Sequence, residues 1–565
     1  MFTLATLLVL AGTFGLGLVL VEAARARAPT PGGAIERTGL ALLVGLGSTA
    51  VLATALIAGL GPPAPFATRA ALLAAALAGA GAWIRGARAR RARAKSRSDA
   101  AAEGCECPPW TTLDRVLALA LVGFTGFAVF YAASMPMHLF DPVYHFAYKG
   151  KLLAHEGFGG PSWTDLEGPI GRIITHPDYP PGLPALHAVV AAAGRQFDED
   201  ATRALMGAFA AAAIAVLFAA LRPRGRRPAL IGALALAGLP LLYYSQLPRN
   251  PVDFDKDELT FVSSLDVQPG EFGRAALALA IGAETAQRRF PHLGPFQLPD
   301  GWTLDGAGDF PLAALLLGAL VCLTRAAAGA RRAAGHDPEW RGEPAGGAGD
   351  GVLAGVLLGA AALMKNEGLA LGAMALIVFA VRCVIAPGSW VRARALQQSG
   401  WALVLFVLAV APWMVLRRDI PSIDENYPAA VLRMLGIGDA PTAGPFDHSP
   451  GSLGAAATRF PVVLMGFVQS SLNPLRWNLV WVLFGAVLAW RLARPRALLH
   501  HPLAVPLAVV VGAWALYALV LLVTPWDLAV LYTTAIPDRL LLQVAPVAIW
   551  CAVGLAWRRI SPEQP

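Results

Sequence analysis

Apolar runs about as long as a bilayer is thick recur from one end of this chain to the other. A membrane-crossing helix needs roughly 20 such residues. Runs of that kind lie near 2–22, 38–60, 66–84, 112–132, 203–221, 229–245, 308–325, 351–364, 368–386, 399–416, 476–490, 503–523 and 539–557. The pattern predicts an all-α membrane protein with about 13 transmembrane helices, its external loops carrying short amphipathic helices. Phe460–Gln469 and Arg274–Ala283 are apolar but shorter, and read as interfacial or packed pieces. The first run starts at Met1 without a basic flank or a small-residue cleavage site, so it reads as a retained helix.

Composition agrees with this pattern. Of 565 residues, 56% are hydrophobic and 15% charged, against about 25% charged in a soluble domain. The net charge of +8 would ordinarily raise the question of a nucleic-acid partner. The arginines answer it by their placement. They gather at Arg25/Arg27, Arg85–Arg97, Arg222–Arg227, Arg325–Arg332, Arg392/Arg394, Arg491–Arg496 and Arg558/Arg559, in alternate loops. Such loops face the cytoplasm, which makes the charge a topology signal and excludes nucleic-acid binding as its explanation. The opposite loops, 133–202, 246–307, 365–367, 417–475 and 524–538, are then external, in a multi-pass protein of the cell or inner membrane. The organisation reads as N-terminal helices over 1–84, a basic cytoplasmic linker over 85–111 that is expected to be disordered over 85–108, and a main membrane module over 112–558. A second linker, rich in Gly and Ala, covers 333–350. None of the five cysteines falls in an external loop, and Cys105-Glu-Cys107 lacks the second ligand pair that a zinc site needs.

The chemistry-bearing residues collect in the external loops. The first holds Asp141, Tyr144, His145, Tyr148, Lys149 and Lys151, whose spacing suits a short helix lying on the membrane. It also holds His176-Pro-Asp178-Tyr179-Pro-Pro-Gly-Leu-Pro. Prolines at 177, 180, 181 and 184 stiffen that segment and exclude a regular helix, so it reads either as a brace for Asp178 and Tyr179 or as a helix-entry turn. Asp309 opens a predicted span, where a helix N-terminus favours a carboxylate. Lys365-Asn366-Glu367 interrupts two apolar runs. The run before it, Gly351–Met364, rises only about 21 Å, less than the roughly 30 Å of hydrocarbon. Lys365 and Glu367 are therefore expected below the surface, as a mutual pair or lining a cleft. Arg539 starts the last span on the external side, either snorkelling to headgroups or clamping a phosphate.

Taken in order, Phe140-Asp141 with Tyr144-His145, the HPDYPPGLP segment, the G-x-G-D-x-P-L-A start at Asp309, Met-Lys-Asn-Glu-Gly and Pro-Asp-Arg-Leu-Leu-Leu-Gln resemble GT-C membrane glycosyltransferases. This polytopic class includes protein O-mannosyltransferases and aminoarabinose transferases. The resemblance covers residues 138–545 and is nearest to uncharacterised bacterial members. It implies a GT-C-like fold and transfer of a sugar from a polyprenyl-phosphate donor to a glycan, lipid or protein acceptor at the external face. It implies Asp141 as the base, or as a ligand of a divalent metal. Beside that, our reading gives Lys365 and Arg539 the charge of the leaving phosphate, and Asp178 and Asp309 the orientation of acceptor or metal. Tyr144, His145, His176, Tyr179 and Glu367 complete the expected substrate contacts. The sequence departs from the family in two ways: three spans precede the first large loop, and Pro142 replaces the second acid of a paired motif. Metal use, through Asp141 or Asp309, is left open. The competing reading is a transporter or flippase of a lipid-linked or anionic substrate, but long external loops without a visible repeat favour the enzyme.

Overall fold

The structure is a computed structural model that describes residues 3–25, 33–100, 109–134, 141–160, 177–243, 308–333, 349–385, 389–420, 427–437, 450, 452–524 and 535–557. Among the described residues there is no strand. The helices are α1 (Leu4–Arg25), α2 (Ala34–Leu60), α3 (Pro65–Ala100), α4 (Thr112–Ser134), α5 (Lys149–His155), α6 (Gly182–Gly194), α7 (Glu199–Leu221), α8 (Arg226–Ala237) and α9 (Asp309–Ala333). They continue with α10 (Gly349–Met364), α11 (Asn366–Val384), α12 (Ser389–Leu416), α13 (Tyr427–Met434), α14 (Leu453–Leu472), α15 (Val480–Leu492), α16 (Ala504–Val523), α17 (Ala535–Leu542) and α18 (Ala545–Ala556). One-turn helices at Pro240–Tyr243, Pro474–Trp477 and Pro495–His500 join some of them.

Each of the thirteen long apolar runs overlaps a helix, and those at 229–245, 476–490 and 539–557 are divided by breaks. Among the described residues, however, nine helices are long and apolar enough to cross a membrane, and ten if α17 and α18 count as one span bent by 57°. The expected count of about 13 is not reached because α8, α10 and α15 hold only 12, 16 and 13 residues. At 1.5 Å per residue, α8 and α15 rise no more than about 20 Å. A second departure concerns the basic linker. Residues 85–100 continue α3 without a break, because alanine and arginine are both strong helix formers. Residues 101–108, with Cys105 and Cys107, most of the 333–350 linker, and Arg274–Ala283 lie outside the described residues.

Close packing at small residues organises the bundle. Helices α1, α2 and α3 meet at glycines so tightly that a Cβ on Gly17 would stand 1.8 Å from the Ala41 carbonyl oxygen, and one on Gly15 2.2 Å from that of Ala75. Small residues permit such contact in membranes, where burying apolar surface gives helices no reason to associate. One end of the bundle is basic. There Glu36 on α2 takes Arg25 of α1 at 2.8 Å and Arg325 of α9, while Arg25 reaches Asp350 on α10 at 3.2 Å. At the same end, Arg224 donates to the Gly554 carbonyl at 2.8 Å and Arg491 donates to that of Leu555. These bonds gather the ends of α8, α15 and α18. Two of these helices, α8 and α15, stop short and meet: Asn478, just before α15, donates to the carbonyl of Gly238, just after α8, at 3.0 Å.

The opposite end carries the candidate site. Helix α6 lies across it, from Gly182 at the last turn of α10 to Ala193, whose carbonyl takes Arg69 of α3 at 2.7 Å. Of the two readings of the proline-rich segment, the helix-entry turn is the one observed, and the exclusion of a regular helix fails at one proline. Pro184 sits within α6, in the first turn, where a missing N–H breaks no helical bond. The helix expected around Tyr144–Lys151 also differs: Asp141–Tyr148 is π-helical, α5 follows, and Lys149 turns inward at 1% exposure instead of lying on a surface.

Candidate functional site

Asp309 is the first residue of α9, at the end of the bundle away from the arginines. Three glycines crowd the end of α10 beside it. A Cβ on Gly182, Gly308 or Gly368 would stand 2.6, 2.8 or 2.1 Å from the carbonyl oxygens of Leu363, Met364 and Ala361. That contact brings the start of α6, the start of α9 and the start of α11 to one place. Lys365 passes between α10 and α11 in an extended conformation, φ −157° and ψ 157°, which turns its side chain onto Asp309.

The Asp309 carboxylate is 2% exposed and takes three donors. Lys365 Nζ donates to Oδ1 at 2.8 Å, Gln543 Nε2 donates to the same oxygen at 2.7 Å, and Arg539 Nε donates to Oδ2 at 3.1 Å. Tyr517 of α16 donates its hydroxyl to Gln543 Oε1 at 2.8 Å, extending the chain of bonds inward. Glu367 completes the group, with Oε1 3.4 Å from Lys365 Nζ. Two cations and two carboxylates thus share one small volume. Buried charges persist where each has a partner and its hydrogen bonds.

A second group is joined to the first through Arg417, the residue after α12. Its Nη2 donates to Asp178 Oδ2 at 2.9 Å and its Nη1 to Asn366 Oδ1 at 3.3 Å. Tyr179 stands between His145, with ring centroids 5.5 Å apart, and the Lys149 ammonium, 5.6 Å from its ring. Burial pushes the Lys149 amine from its usual 10.5 down to about 7, and the neighbouring Asp178 offsets only part of that. The π-helical turn reaches the first group too: a Cβ on Gly308 would stand 3.0 Å from Phe146 Cζ.

Of the residues singled out by sequence, Asp309, Lys365, Glu367 and Arg539 are therefore in one bonded cluster, and Asp178, Tyr179 and His145 lie in the adjoining one. Asp141 begins the π-helical turn, but its side chain and that of Tyr144 lie outside the described residues, as does His176 altogether. The expected Lys365–Glu367 pair is present but secondary, because Asp309 holds the lysine more closely. Asp309 does not fit a divalent metal. Its oxygens are taken by three donors, and a metal there would meet Lys365 and Arg539. Among the described residues no group of three or more His, Cys, Asp or Glu is arranged to hold an ion.

Sequence reading missed Gln543, Tyr517 and Arg417 as site residues. Gln543 follows Arg539 by four residues, a spacing that would put both on one helix face, although α17 ends at Leu542. Arg417 carried no such signal, since the loop it opens also holds Arg418, Arg433 and Arg459. Ser470 and Arg476, which both hold the buried Asp538, carried none. The fold and this cluster define an all-α, multi-pass membrane protein with an ionic site at the end opposite the Arg25–Glu36–Arg325 cluster. Comparison of the chain with protein-family models, with curated proteins and with solved structures gave no match.

Proposed function

We propose that this protein is a GT-C-type membrane glycosyltransferase, moving a sugar from a polyprenyl-phosphate donor to a glycan, lipid or protein acceptor at the external face of the cell membrane. The observation that carries the reading is the convergence of Asp309, Lys365, Glu367 and Arg539 with the Asp178–Arg417 pair at one end of the bundle. The arginine-rich loops lie at the other end, so the positive-inside rule turns the site outward.

The chemistry follows from the residues. Asp141 takes the proton of the acceptor hydroxyl, whose oxygen bonds to the anomeric carbon as the bond from that carbon to the phosphate oxygen breaks. Negative charge grows on the departing phosphate. Arg539, fixed in advance by Asp309, offsets it without having to reorganise, and the charge of Lys365 adds to it from behind. Asp309 serves as their counterion, since its own oxygens are committed. No step is routed through a metal.

Helix breaks at Lys365 and between α17 and α18 favour a second reading, a transporter of a lipid-linked substrate, because broken helices near mid-membrane often line transport sites. Purified full-length protein in proteoliposomes separates the two. With a polyprenyl phosphate carrying a labelled sugar, a transferase releases prenyl phosphate and moves the label to acceptor. Label that crosses the bilayer still attached to its prenyl chain contradicts the transferase reading.

A further inference from the structure

The four charged groups around the break between α10 and α11 differ sharply in access. Asp309 and Lys365 are sealed, with side chains 2% and 6% exposed, whereas Arg539 and Glu367 are 23% and 27% exposed. Glu367 sits in the first turn of α11. Its backbone is fixed by the next residue, Gly368, which is packed against the Ala361 carbonyl so closely that no side chain fits. Its contact with Lys365 is also the longer of that lysine's two, 3.4 Å against 2.8 Å.

We infer that Glu367 is the carboxylate this site turns toward its ligand, and that it receives a neutral, hydroxyl-bearing group of the kind a sugar ring presents. The argument is one of charge. A cationic group brought to Glu367 would meet Lys365 directly behind it and Arg539 beyond, held by the same aspartate. An anionic group at Glu367 itself would be repelled by the carboxylate, and the more exposed of the two cations, Arg539, is the one that suits it. A hydroxyl suits both neighbours, because it donates to the carboxylate and accepts from an ammonium. Hydrogen bonds with one charged partner are among the stronger ones, and a neutral hydroxyl brings no further charge into the site. The inference rests on the glycosyl-transfer reading and names the residue that reads the sugar within it.

Carboxyl modification tests it independently of turnover. Wild-type protein in lipid nanodiscs is treated with dicyclohexylcarbodiimide, and adducts are located by peptide mass spectrometry. Glu367 is expected to be modified and Asp309 spared, with the Glu367 adduct absent from Glu367→Gln. Octyl β-glucoside, octyl phosphate and octyltrimethylammonium are then compared as protectants at equal concentration below micelle formation. The glucoside is expected to slow modification of Glu367 by roughly threefold or more, as occupancy of a site requires, and the other two by less. Modification of Asp309 as fast as Glu367, equal or better protection by the cationic head, or no protection by any of the three overturns the inference. Sugar transfer measured on the same preparation keeps the two proposals apart. Transfer without glucoside protection removes this inference alone, and protection without transfer removes the transferase reading alone.

Discussion

At the scale of single residues, the site turns on one carboxylate with more partners than it has oxygens. Asp309 is bonded to Lys365, Arg539 and Gln543, and removing its charge leaves two cations without their shared counterion. Breaking a buried pair from one side costs about 3–5 kcal/mol. Asp309→Asn is therefore expected to lose that order of stability in unfolding of the purified protein. Glu367→Gln, at a more exposed position, is expected to lose less than about 1 kcal/mol. Equal losses would contradict the separation of roles. Lys149 gives a pH signature. Its amine is lowered to about 7 in the folded protein from 10.5, so between those values the unfolded chain binds more protons. Stability should rise as pH rises from about 7 to about 10, and Lys149→Met should flatten that rise in melting curves. These residues were only partly legible. Lys365 and Glu367 were visible because they are adjacent in an apolar stretch. The nearer partner, Asp309, is 56 positions away, and no local spacing points to it. Arg417 bonds Asp178 across 239 positions, beyond reach for the same reason.

At the scale of elements, the hydrophobic pattern located the helices, and lengths decided what they do. The apolar runs at 229–245 and 476–490 became half-length helices, α8 and α15, because Gly238 and Asn478 end them where they meet. A run of apolar residues does not record such a stop. The described part of the HPDYPPGLP segment is a turn that enters α6, one of its two readings from sequence, and residues Gly182–Ala193 of that helix are all buried. Glycines at the end of α10 are the sharpest local requirement. Gly368→Ala would put a methyl 2.1 Å from the Ala361 carbonyl oxygen, whereas Gly400→Ala on α12 meets nothing within 4 Å. Overpacking of this kind costs about 1–3 kcal/mol. Thermal melts should show the loss for Gly368→Ala and little change for Gly400→Ala, and equal melts would contradict the packing described.

At the scale of the whole molecule, the two ends of the bundle differ in kind. One end is tied by arginines to Glu36, Asp350 and helix-terminal carbonyls, and the other holds the Asp309 cluster. Single cysteines test which end faces out, in a background lacking Cys105 and Cys107; the described cysteines, Cys322, Cys383 and Cys551, are buried. Lys151→Cys is exposed at the site end and Arg496→Cys at the basic end. A membrane-impermeant maleimide should label the first on intact cells and the second only after permeabilisation. The reverse would place the site in the cytoplasm. The net charge of +8 is legible in sequence as topology because loops alternate. The meeting of the two polar clusters is not, because it depends on how helices far apart in the chain pack. The central claim is that this meeting point transfers sugar with Asp141 as base. The most direct measurement is the rate at which full-length protein in proteoliposomes moves labelled sugar from a polyprenyl phosphate, wild type against Asp141→Asn. The account predicts transfer by the wild type and none by the variant, with both inserted equally; a variant that transfers at the wild-type rate would contradict it.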